Sequence, residues 1–175
     1  MLVVICGQNE ERRAYIAKVF REMMLTIFPG FPIFDTLYPD SVSDKDRWKA
    51  QIVIGHMHPD QFIVNLAGKD HTIGLYIADP KYYNDPVAKQ IQRTFSDDHY
   101  PIQFHGIISL DCLGNIQVLW DANTVDDLIN NYPHYMLKLS VFSKILSNMT
   151  IPENPDVELL EAEVFAATVQ TLTDI

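Results

Sequence analysis

The chain predicts an α/β sandwich of three layers around a mainly parallel sheet, on the strength of three observations. Short apolar runs at residues 2–6, 51–55 and 72–78 lack polar alternation, as strands covered on both faces do. Stretches between them carry apolar residues at helical spacing instead. Finally, the two patterns alternate along the chain without an internal repeat or a low-complexity segment, which is the rhythm of βαβ units.

Taken in order, residues 2–6 form a first strand that Gly7 ends, and Asn9 is placed to cap the helix that follows. In that helix Ile16, Val19, Phe20, Met23 and Ile27 share one side, Arg12, Lys18, Arg21 and Glu22 lie on the other, and Pro29-Gly30 is the stop. Residues 31–46 read as an irregular connection with at most a short strand around Ile33-Phe34. A second buried strand follows at 51–55, then a short helix from Pro59 to Leu66 that ends at Gly68. The run at 72–78 is the clearest strand, and residues 86–95 form another helix with Val87, Ala88 and Ile91 on one side. Runs at 107–110 and 116–120 flank Leu113-Gly114-Asn115, a signal for a tight hairpin. Thr124 is the expected cap of a helix with Asp126 and Asp127 in its first turn, which Pro133 breaks before a further helix to about 146. Pro152 and Pro155 make a stiff joint before a last helix from about 156. Residues 1–150 thus read as one α/β domain, and 151–175 as an acidic C-terminal helix that either packs on it or serves as an interaction arm.

At 175 residues and 47% hydrophobic, the chain can fill one sizeable core, and no apolar run nears the roughly 20 residues a membrane span needs. Residues 2–6 run straight into a charged helix, without the basic start and cleavage site of a secretory signal. Cys6 and Cys112 form neither a metal spacing nor a disulfide framework, so a cytoplasmic protein is expected. The net charge of −10 is uneven, because residues 151–175 hold six acidic side chains and no Lys or Arg. Direct nucleic-acid binding wants a basic face and is not expected. A basic protein partner, or self-association through 156–175, suits this charge distribution and the apolar arc of Val157, Leu160, Val164, Phe165, Thr168, Leu172 and Ile175.

A strand, a turn at Gly7 and a helix make the context in which a phosphate loop, G-x-x-x-x-G-K-[ST], holds nucleotide phosphates. Counted from Gly7, the positions of its second glycine, lysine and hydroxyl hold Arg12, Arg13 and Ala14, and Glu10 and Glu11 add negative charge. Further along, Ile77-Ala78-Asp79-Pro80-Lys81-Tyr82-Tyr83-Asn84-Asp85 resembles a motif of phage-type deoxynucleoside monophosphate kinases, with Lys81 where the family has arginine. The helix predicted upstream at 59–64 and the run Asp121-Ala122-Asn123-Thr124-Val125-Asp126-Asp127-Leu128 are similar to further segments of that family. The resemblance covers about half the chain in short pieces. It implies a P-loop-kinase-like core with Gly7, Arg12, Arg13, Asp79, Lys81 and Asn84 as nucleotide-binding positions. Without the loop glycine, its lysine and the metal-binding hydroxyl, most of the phosphoryl-transfer apparatus is missing. The expectation is a non-catalytic, phage-encoded relative that binds a protein or a nucleotide and carries no cofactor. The alternative is a working nucleoside monophosphate kinase using ATP and Mg²⁺ through a non-standard loop.

His56-Met57-His58-Pro59-Asp60 sets an H-x-H-x-D pattern directly after a strand, a spacing at which His56, His58 and Asp60 could share a metal ion in a small hydrolase. Gln61 stands where hydrolases of the metallo-β-lactamase type continue with another His, and Pro59 falls inside the motif. A polar loop at the sheet's carboxyl edge accounts for the same residues. Cys6, inside an apolar strand, reads as an inert core thiol.

Overall fold

The computed structural model describes residues 2–30, 33–36, 52–58, 72–82, 84, 86, 89, 93, 104–155 and 160–175. Strands β1 (Leu2–Cys6), β2 (Ile33–Thr36), β3 (Ile52–Met57), β4 (Thr72–Ala78), β5 (Phe104–Leu110) and β6 (Ile116–Trp120) form one sheet in the order β2-β3-β1-β4-β5-β6. Every pairing is parallel except that of β5 with β6. The runs expected at 2–6, 51–55 and 72–78 are therefore direct neighbours, with β1 between β3 and β4 and Val4 level with both Gly55 and Gly74.

The described residues include the helices α1 (Glu10–Ile27), α2 (Ala122–Asn131), α3 (Pro133–Ser147) and α4 (Leu160–Thr173). Asn9 caps α1 as expected, its side chain accepting from the Arg12 backbone N–H at 3.0 Å. Glu10 and Glu11 then sit at the positive end of the helix dipole. Ile16, Val19, Phe20 and Met23 of α1 join Val3, Ile5, Ile54 and Leu75 of the sheet in one core. α3 adds Phe142, whose ring meets Phe20 edge-on at 5.1 Å. An edge-to-face pair of this kind is worth about 0.5–1.5 kcal/mol beyond the area it buries.

Leu2, Val4, Cys6, Thr72 and Tyr76, which point to the sheet's other face, are buried as well. Both faces of the central strands are thus covered, which explains their unbroken apolar runs. The helix expected at 59–66 lies outside the described residues. Of the one expected at 86–95, Pro86, Lys89 and Arg93 are described and helical.

Two boundaries differ from expectation. α2 begins at Ala122 with Asp121 as its cap, the Asp121 side chain accepting from Thr124 N at 3.2 Å. Thr124, the expected cap, is buried inside the first turn, where its hydroxyl accepts from His105 N at 3.0 Å and ties α2 to β5. A tertiary contact claims the side chain that local propensity assigned to the cap. The hairpin between β5 and β6 is present, but with five connecting residues. The Asp111 carboxylate accepts from the backbone N–H of Leu113 (2.8 Å) and Asn115 (2.9 Å), and from the Asn115 amide (2.7 Å). Gly114, at φ 83°, supplies the left-handed step. An added Cβ there would lie 2.3 Å from Ile151 O, while Gly114 O accepts from Ile151 N at 2.9 Å. The hairpin thereby fixes residues 150–151 at the entrance to the joint.

The C-terminal helix packs on its own domain with part of its surface. Leu160 and Val164 of the expected apolar arc are buried against α1 and α3, together with Thr168. Lys18 on α1 reaches Glu161 at 3.3 Å. Phe165 and Leu172 of the same arc stay exposed, so the arc divides between two faces.

Candidate functional site

The order of the sheet reverses around β1: the chain leaves it for β2 and β3 on one side, then crosses to β4 on the other. In open α/β sheets such a switch point opens a crevice beyond the carboxyl ends of the strands. Gly7, Gln8 and Asn9 after β1, His58 after β3 and Asp79 after β4 meet at that edge.

The connection from β1 to α1 is three residues long, Gly7, Gln8 and Asn9, and α1 is already helical at Glu10. Arg12, Arg13 and Ala14, which the phosphate-loop register would place at the end of a long loop, lie in the first turns of the helix. Gly7 has no positive φ; among the described glycines Gly30 and Gly114 do. A Cβ on Gly7 would stand 3.0 Å from Ile77 Cβ, so what this position requires is close passage beside β4. An anion nest needs consecutive N–H groups turned inwards, through alternating right- and left-handed residues. Here the atoms of Gly7 and Gln8 turned towards Arg13 are carbonyl oxygens: Gly7 O accepts from Arg13 Nη1 at 2.6 Å and Gln8 O at 3.4 Å.

Arg13 is buried, and its Nε has no hydrogen-bond partner among the described residues. Burial pulls its pKa below the ordinary arginine value, while the nearby charge of Glu10 acts the other way. Burial pushes the Cys6 thiol up to about 12, which agrees with an inert core cysteine.

Arg12 is spent differently. Its Nη1 forms a buried ion pair with Asp79 Oδ2, and its Nε donates to Pro152 O at 3.4 Å. Asp79 Oδ1 accepts from Lys81 N at 3.0 Å and Asp79 O from Tyr82 N at 2.9 Å, closing the 3-10 turn Pro80–Tyr82. The strand end that resembles the kinase motif is thus a capped turn with an arginine tied into it.

Lys81 turns outward to a salt bridge with Glu153, which raises its pKa and lowers that of Glu153, mainly through the hydrogen bond they share. The Asn154 amide, oriented with its nitrogen towards Glu11, donates to Glu11 Oε2 at 2.9 Å. Residues 152–154 therefore form a strap from α1 across to the β4 turn. Asn84 lies in an exposed turn.

His58 Nε2 shares a hydrogen bond with Gln8 Oε1, and Asp60 lies outside the described residues. Among the described residues no group of three His, Cys, Asp or Glu side chains is placed to hold a metal ion.

Of the residues singled out in the sequence, the structure joins Gly7 with Arg13, and Arg12 with Asp79 and, through the turn, Lys81. Sequence reasoning missed Gln8, Pro152 and Glu153. No local pattern could reveal the last two, since Pro152 is 140 residues from Arg12. No protein-family model, no curated protein and no solved structure matches this chain.

Proposed function

We propose that this chain is a non-catalytic relative of nucleoside monophosphate kinases, with a P-loop-kinase-like core, that works by binding. The observation that carries the reading is the three-residue connection between β1 and α1, whose Gly7 and Gln8 carbonyls hold the Arg13 guanidinium. Phosphoryl transfer rests on positioning and charge neutralisation of the phosphates. A loop that offers oxygen atoms to a cation has the wrong polarity for an anion, and Glu10 and Glu11 already complement the helix dipole there. Arg12, committed to Asp79, is not available as a phosphate clamp.

A working kinase with an unusual loop is the second reading, favoured by one observation. Arg13 is a buried cation whose Nε has no partner among the described residues, and an incoming anion would provide one. Incubating the protein with γ-labelled ATP, Mg²⁺ and each of the four deoxynucleoside monophosphates separates the two. The binding reading expects no labelled diphosphate above the rate without protein. Transfer that is lost in Arg13→Ala would establish the kinase instead.

A further inference from the structure

We propose that the outward face of α4 is a docking surface for a basic amphipathic helix of another protein. The inference rests on the reading that this chain acts by binding, but not on its kinase ancestry.

α4 is held to the domain by Leu160, Val164 and Thr168, all buried. On the opposite side Phe165, Val169 and Leu172, spaced i, i+4 and i+7, are 58%, 43% and 39% exposed. Ala162 and Ala166 lie beside Phe165 on the same outward side and are exposed too. A stripe of this spacing is what a helix presents to another helix, and small residues next to a large one leave room for knobs of the partner to seat. Over its 14 residues α4 is about 21 Å long, enough for three to four turns of a partner. A helix apolar on both sides is ordinarily covered on both.

Charge selects the occupant. Glu161, Glu163 and Asp174 are the ionisable groups of α4 and its end, and residues 151–175 contain no Lys or Arg. Lys18, the cation that meets Glu161, belongs to α1. A second copy seated here would bring acid against acid in either orientation. A helix with Lys or Arg beside its apolar face would place opposite charges along both edges, which favours the right partner and opposes wrong ones.

Two labelled 18-residue peptides provide the test. They share one leucine face and carry lysine or glutamate at every other position. Fluorescence anisotropy with the whole protein should show saturable binding of the lysine peptide and none of the glutamate peptide. The variant F165S/V169S/L172S leaves the net charge unchanged and alters only exposed residues. It should keep the circular dichroism and melting temperature of the parent and bind the lysine peptide at least tenfold more weakly. Equal binding by that variant would reduce the effect to acidic-surface attraction and overturn the proposal. So would a doubled mass in light scattering that the variant abolishes, since the occupant would then be a second copy. Neither result bears on ATP, so failure here is distinct from failure of the kinase-relative reading.

Discussion

At the scale of single residues, the ion pair between Arg12 and Asp79 is the clearest case of a sequence signal with a structural use. Both side chains are nearly out of solvent, at 10% and 3% exposure, so neither charge can be lost alone without stranding the other. Removing one partner of a buried pair costs about 3–5 kcal/mol, whereas replacing both by apolar groups of similar size is often close to neutral. Asp79→Ala should therefore lower the unfolding free energy in urea by about that amount, and Arg12→Met combined with Asp79→Leu should recover most of it. Equal losses in the single and double variants would show that the pair does not act as a unit. Arg12 and Arg13 stood out in the sequence by their places after Gly7, and Asp79 and Lys81 by the resemblance that their strand end carries. Which of them bind each other could not be read there, since a guanidinium fits a carboxylate, a carbonyl or a phosphate.

Among the elements, those buried on two faces were the most legible. β1 and most of β4 stand as apolar runs because residues 2–6 and 72–77 are buried on both faces of the sheet. β5 alternates buried and half-buried positions, and its pair β6 lies at the edge of the sheet. The start of α2 was displaced because Thr124 serves β5 instead of its own helix end. The hairpin between β5 and β6 carries its own pH dependence. Hydrogen bonds from the Asn115 side chain, and from the backbone of Asn115, Leu113 and Gly114, hold the Asp111 carboxyl below its ordinary value of 3.8. A carboxyl whose pKa is depressed by folding stabilises the fold above the ordinary value and loses that contribution as pH falls through the depressed one. Urea midpoints from pH 6 to pH 2 should show the gap between the parent and Asp111→Ala shrinking on acidification. A gap that stays constant would mean the turn holds Asp111 by its shape alone.

For the molecule as a whole, the strap at 152–154 and the helix after it join the site to the core. Ile151, Leu160 and Val164 are all at or near zero exposure, and the strap touches Arg12 and Lys81 on its way. Ending the chain at residue 150 would uncover α1 along its contact with α4. The truncated protein should lose its cooperative unfolding transition in calorimetry. A sharp transition within a few degrees of the parent would mean α4 is an accessory arm. At the carboxyl edge next to β1 the Gly7 and Gln8 carbonyls hold the Arg13 guanidinium, and titration calorimetry with ATP and Mg²⁺ asks whether that edge takes a nucleotide. No saturable heat is expected up to millimolar nucleotide, for the parent and for Arg13→Ala alike. Micromolar, saturable binding by the parent that disappears in Arg13→Ala would contradict that expectation.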